Sequence, residues 1–165
     1  MKTEYQGIFD AFLKRVERDR SFFQYLNVSQ LDAEEIVEER CLALLNEACG
    51  RIMLEGNPTV DFFDRDDDAQ IFHFDLTGTE LYLIPSLMYE AYLARDIAYL
   101  KNITVNYSPA DVRVFDPSNW RSTFESLYRN VQADNLRYLD QYANRDRSDC
   151  SYVGVDFTSY NVDSL

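Results

Sequence analysis

The chain has 165 residues, about the size of one domain, and is long enough to bury a core without metals or disulfides. It is strongly acidic: 29 Asp and Glu against 16 Lys and Arg give a formal net charge of −13. That balance excludes a surface that grips nucleic acid broadly, because phosphate contacts dominate such binding. It leaves a charge that serves solubility, an acidic face along which a polyanion slides without sticking, or a face that imitates a polyanion.

Four segments read as helices. In the first, over 4–19, Tyr5, Ile8, Phe9, Phe12, Leu13 and Val16 recur at the spacing of one helical face, with Lys14, Arg15, Glu17 and Arg18 on the other. Phe22, Phe23, Tyr25 and Leu26 follow as an aromatic connector whose rings pack back on the bundle. The second helix, over 32–55, begins at Asp32, whose carboxylate can accept from a free N–H of the first turn, with Glu34 and Glu35 near the positive helix end. Ile36, Val37, Cys41, Leu44, Leu45, Ala48 and Ile52 form its apolar stripe, and Gly56-Asn57-Pro58 stops it.

Residues 59–76 are irregular, with a short strand or extended loop at Ile71-Phe72-His73-Phe74-Asp75-Leu76 as a minor sheet component. Thr77-Gly78-Thr79-Glu80 has the form of a capping box and opens a third helix over 78–101. Leu81, Ile84, Leu87, Met88, Ala91, Tyr92, Ala98 and Tyr99 are its apolar positions, and Pro85 inside it removes a backbone bond and should bend the axis. Ser108-Pro109-Ala110-Asp111 starts a single turn, and Asp116-Pro117-Ser118-Asn119 starts the last helix, over 118–143. Trp120, Phe124, Leu127, Tyr128, Val131, Tyr138, Leu139 and Tyr142 make its buried stripe, interrupted by Asn135, which needs a partner if buried.

Residues 148–165 carry no helical face. Val153, Val155 and Phe157 alternate with Tyr152, Asp156 and Tyr160 on an extended chain, too rich in large side chains for a solvated disordered tail. The expected fold is therefore mainly α: a single helical bundle over 1–147 and an extended C-terminal arm over 148–165. Tyr152, Val153, Val155, Phe157 and Tyr160 are the candidate partner-binding residues.

Signals for chemistry are sparse. His73 is the single histidine and has no second His or Cys at a ligand spacing, so it reads as a loop or half-buried residue. Asp61, Asp64, Asp66, Asp67 and Asp68 lack the order of a calcium loop and read as a solvated acidic loop. Five glycines supply no phosphate-binding fingerprint. Cys41 and Cys49 lie about 12 Å apart along one helix, too far for a disulfide. With Cys150 they make an odd count that fits a reducing compartment. The N-terminal residues show no leader pattern, and no apolar run is long enough to span a membrane. Neither an active site nor a cofactor or metal is expected.

Several phrases in the second half carry more. Phe74-Asp75-Leu76-Thr77-Gly78-Thr79-Glu80 runs into Leu87-Met88-Tyr89-Glu90-Ala91-Tyr92-Leu93; Ser108-Pro109-Ala110-Asp111, Phe115-Asp116-Pro117-Ser118-Asn119 and Tyr142-Ala143-Asn144-Arg145-Asp146 follow in order. Over about 30–147 the chain resembles the small helical head–tail connector (adaptor) proteins of the neck of tailed bacteriophages. The aromatic first helix and the long tail depart from the shorter connectors. The resemblance implies a structural virion protein without enzymatic activity, assembled in the host cytoplasm. Its implied form is a homo-oligomeric ring, dodecameric in this family, between the portal protein and the next neck or tail protein. DNA passes through the ring without specific binding. Asp61, Asp64, Asp66, Asp67 and Asp68 are then candidates for the channel wall. The alternative is an acidic inhibitor or DNA mimic of phage type that occupies a nucleic-acid-binding site on a host protein.

Overall fold

A computed structural model describes residues 2–17, 20–23, 25, 27–106 and 117–154, with the backbone alone at 20, 21, 99–106 and 117–121. The chain is mainly α-helical. In order come β1 (Thr3–Glu4), α1 (Gln6–Val16), a one-turn α2 (Arg20–Phe23), α3 (Gln30–Glu55), β2 (Arg65–Asp66), β3 (Ile71–Phe72), α4 (Gly78–Asn106) and α5 (Pro117–Ala143).

The hub is α4, which packs against α1, α3 and α5. Its buried residues Leu83, Ile84, Leu87, Met88, Tyr92, Leu93 and Ile97 point around most of its circumference. A helix apolar on all sides belongs inside a bundle. That explains a difference from the single-stripe expectation: Leu81 and Ala98 are exposed, whereas Leu83, Leu93 and Ile97 are core. The helix continues through Pro85. By contrast, α3 buries one face, through Cys41, Leu44, Leu45, Ala48, Cys49 and Ile52, and its first turns leave Ile36 and Val37 only half-buried.

Helix ends follow local chemistry. The N-cap of α3 is Ser29, three residues before the expected Asp32. Ser29 Oγ accepts from the Asp32 N–H at 3.2 Å and donates to the Asp32 carboxylate at 2.7 Å, so Asp32 holds the fourth position of a reciprocal cap. At the other end the Gly56 N–H donates to Ile52 O, and the left-handed turn falls on Asn57, φ 44°. Gly56 is needed for closeness: a Cβ there would lie 2.8 Å from Ile52 O and 3.1 Å from the Tyr142 ring.

The first helix is shorter than its periodicity implied because its start is drawn into a sheet. Thr3 and Glu4 pair antiparallel with Phe72 and Ile71, and Arg65 and Asp66 pair with the other edge of β3, giving the order β1-β3-β2. Tyr5, Phe62 and Phe72 are buried beneath this small sheet, with ring centroids 5.1 Å (Tyr5–Phe72) and 6.4 Å (Phe62–Phe72) apart. The connector packs back as expected at Phe22, which is buried against Phe12 and Tyr92 with the Arg40 guanidinium 4.1 Å from its ring.

On α5 the expected stripe is only partly core. Leu139 and Tyr142 are buried, Phe124, Tyr128, Val131 and Tyr138 are half-buried, and Leu127 is exposed. Among the described residues α5 leans mainly on α4, with a smaller contact to α3. Asn135 is fully buried and fully used: its Oδ1 accepts from Ser86 Oγ at 2.7 Å, and its Nδ2 donates to Ser86 O at 3.1 Å and to Glu90 Oε2 at 2.8 Å. Arg51 of α3 closes this network with an ion pair to Glu90. The single-turn start at 108–111 and the side chains of Tyr99 and Trp120 lie outside the described residues.

Candidate docking site

The arm is rooted where the start of α4 meets the end of α5. Thr77 and Glu80 form the expected capping box: Thr77 Oγ1 accepts from the Glu80 N–H at 3.3 Å and Glu80 Oε2 accepts from the Thr77 N–H at 2.7 Å. Glu80 is 0% exposed and does more than cap. Its Oε1 also accepts from Tyr142 Oη at 2.7 Å and from Arg147 Nε at 2.7 Å, and Oε2 accepts from Arg147 Nη2 at 2.9 Å. The guanidinium thus meets both carboxylate oxygens, the geometry that gives arginine its strongest pairs. Arg147 also donates to Asp75 O and lies over the Phe74 ring at 5.4 Å. Burial, then the hydrogen bond to Glu80, raises the Tyr142 phenol above its ordinary range, and the hydrogen bonds to Glu80 raise Arg147.

Beyond α5 the chain folds on itself. Arg145 and Tyr152 form an antiparallel bridge; Asp146 N donates to Ser151 O at 2.7 Å, Cys150 N to Asp146 O at 2.9 Å and Val153 N to Asn144 O at 2.9 Å. The Asp146 and Asp149 carboxylates accept from the N–H groups of Ser148 and Ser151, two residues on, as short polar side chains do in turns. Hydrogen bonds from the Ser148 and Ser151 side chains, and then those from their N–H groups, hold both carboxyls below the usual carboxylate range. Cys150 takes a left-handed conformation, φ 60°. The Arg145 guanidinium covers the Tyr152 ring at 4.8 Å and donates to its hydroxyl at 3.1 Å.

Beside this turn lies a cleft of about 320 Å³, with Thr77, Gly78, Tyr82, Tyr138, Tyr142 and Arg145 in its wall. Tyr82 and Tyr138 meet edge to face at 5.8 Å. At the end of the turn Tyr152 is 70% and Val153 62% exposed. These two expected partner-binding residues therefore stand at the surface on a braced support. Val155, Phe157 and Tyr160 lie outside the described residues.

The acidic loop is mostly turn-building. Asp61 Oδ1 accepts from the Phe63 N–H at 2.8 Å, and Asp66 Oδ1 from the N–H groups of Asp68 at 3.1 Å and Ala69 at 2.9 Å. Asp67 pairs with Arg65 at 3.0 Å and accepts from Tyr5 Oη at 2.8 Å; Asp64 meets His73 Nδ1 at 2.7 Å. All five aspartates are exposed, as is His73. Among the described residues no group of His, Cys, Asp and Glu is arranged to hold a metal, and no helix is long and apolar enough to cross a membrane.

Sequence reasoning marked the capping box and Asn135 but missed the second duty of Glu80. Its arginine partner comes from 67 positions downstream, and no local pattern joins the two. No family model, curated protein or solved structure matches the chain.

Proposed function

We propose that this chain is a structural connector of a tailed-phage neck: it forms a homo-oligomeric ring, docks on the portal protein through its C-terminal arm and receives the next neck or tail protein, with DNA passing through the ring. The observation that carries this reading is the braced root of the arm, which presents Tyr152 and Val153 to solvent. Large side chains held outward on a stiff support lose little conformational entropy when a partner covers them. Each one fully buried contributes about 1.5–3 kcal/mol. An extended segment can also add backbone pairing to an open strand edge. Fixing backbone on docking costs about 1–2 kcal/mol per residue ordered, which offsets much of that gain for a single arm. A ring presenting many arms multiplies them through effective concentration. The net charge of −13 keeps DNA from adhering to such a ring.

The test is a truncation ending at Gly154, which keeps the turn and its Glu80 anchor and removes 155–165. The expected outcome is an unchanged helical spectrum with loss of co-sedimentation with portal. Unchanged portal binding by the truncated chain overturns the role of Val155, Phe157 and Tyr160, and unchanged binding after Tyr152→Ser with Val153→Ser overturns the role of the braced root. Full-length chain that ignores portal yet competes with DNA for a nucleic-acid-binding protein favours the mimic instead.

A further inference from the structure

We propose that residues 145–153 form a latch that opens as a unit, held shut by the grip of Arg147 on Glu80. The purpose of such a latch rests on the arm being the docking element; its geometry does not. The turn is held together by its own bonds, Asp146 N to Ser151 O, Cys150 N to Asp146 O and the Arg145–Tyr152 pair, so it keeps its form when it moves. Its side chains other than Arg147 are exposed, so lifting it uncovers little apolar surface, the mark of a segment that opens below global unfolding. Arg147 carries its side-chain hold on the bundle, through Glu80, Asp75 O and the Phe74 ring, while the backbone bonds Val153 N to Asn144 O and Arg145 N to Tyr142 O tie it to the hinge at the end of α5.

Glu80 is built for both states. When Arg147 leaves, Oε1 keeps the Tyr142 hydroxyl and Oε2 keeps the Thr77 N–H, so neither oxygen is stranded. The cleft beside the turn is walled by Thr77, Tyr142 and Arg147, the three residues that hydrogen-bond Glu80. The helix cap and the core therefore survive opening, while Tyr152 and Val153 swing clear of the bundle. A closed latch fixes where Tyr152 and Val153 stand; an open one carries them outward.

Trypsin reads this directly, because it cuts after Arg147 only when that side chain has left Glu80. Glu80→Gln replaces one acceptor oxygen with an N–H₂ group that faces the guanidinium and cannot accept from it. Cleavage at Arg147–Ser148 is expected to rise tenfold or more, with the helical spectrum and cleavage at Arg51 and Arg137 unchanged within twofold. Thr77→Ala removes the hydroxyl cap but leaves the carboxylate on Arg147, and should change that cleavage by less than threefold. No rise in Glu80→Gln, an equal rise in both variants, or an equal rise at all arginines overturns the latch. Should Glu80→Gln not fold, the native chain carries the test: urea below the unfolding transition should hardly alter cleavage at Arg147, since opening exposes little surface. A urea dependence as steep as that of global unfolding overturns the proposal. Portal binding enters none of these readouts, so failure of the connector role and failure of the latch are separate results.

Discussion

Asn135→Ala is the sharpest test of the core. The amide lies fully buried between α4 and α5 and makes three hydrogen bonds, one of them to the Glu90 carboxylate. A hydrogen bond to a charged group contributes about 1.5–3 kcal/mol and a neutral one about 1. Part of this is recovered, since the Ser86 hydroxyl can turn to a carbonyl of its own helix and Glu90 retains Arg51. The expected loss is about 3 kcal/mol, read as a shift of roughly 1–3 M in the urea midpoint at an unchanged slope. Asn135→Asp should cost more than Asn135→Ala. It turns an acceptor-only carboxylate toward Ser86 O and a second carboxylate, Glu90. A loss under about 0.5 kcal/mol for Asn135→Ala, well below the weakest of these bonds, refutes the reasoning. So does an aspartate variant more stable than the alanine one.

Other outcomes follow from the same geometry. Phe72→Ala removes a buried ring that meets Tyr5, Phe62 and Phe74, and should cost about 3–5 kcal/mol, whereas the half-buried Phe124→Ala should cost clearly less; equal losses in urea melts would contradict the burial pattern. Cys41 and Cys49 are buried, which pushes their thiols up to about 12 and about 11, while Cys150 is exposed. A thiol reagent at pH 8 should therefore modify Cys150 alone in the folded chain and all three cysteines after denaturation. Asp146 and Asp149 have folded values below their ordinary 3.8. Their contribution to the turn is full above that value and is lost as pH falls through the lower, folded one. Amide shifts of Ser148 and Ser151 should accordingly hold at pH 4 and change only in stronger acid. Asp67→Lys should lower stability, because Arg65 and Tyr5 both lean on that carboxylate; reversal of Asp64 and Asp68 is the gentler probe of a channel wall.

Where local chemistry sets the structure, the sequence is legible. The stripe of α1 from Ile8 to Val16, the single face of α3 and the Thr77–Glu80 cap all appear as their spacing implies. Expectations fail where tertiary context decides. Glu4 falls within the expected first helix, yet backbone pairing of Thr3 and Glu4 with Phe72 and Ile71 draws it into a strand. Asp32 is a good N-cap residue, but Ser29 reaches its N–H first. Spacing puts Leu81 on the apolar stripe and leaves Leu83 off it, whereas the packing of three helices around α4 buries Leu83 and exposes Leu81. The root of the arm was marked only by a change of composition at 148. The turn that braces it depends on Asp146, Arg147 and Cys150, ordinary polar residues whose pairings emerge only in the fold.

The measurement that bears most directly on the connector account is the mass of the species formed when the purified chain is mixed with portal rings. The account predicts a closed complex carrying many copies of the chain on each portal ring, formed by the full chain and lost on truncation at Gly154. A chain that keeps its own mass in the presence of portal, at concentrations where its helices are fully folded, contradicts it.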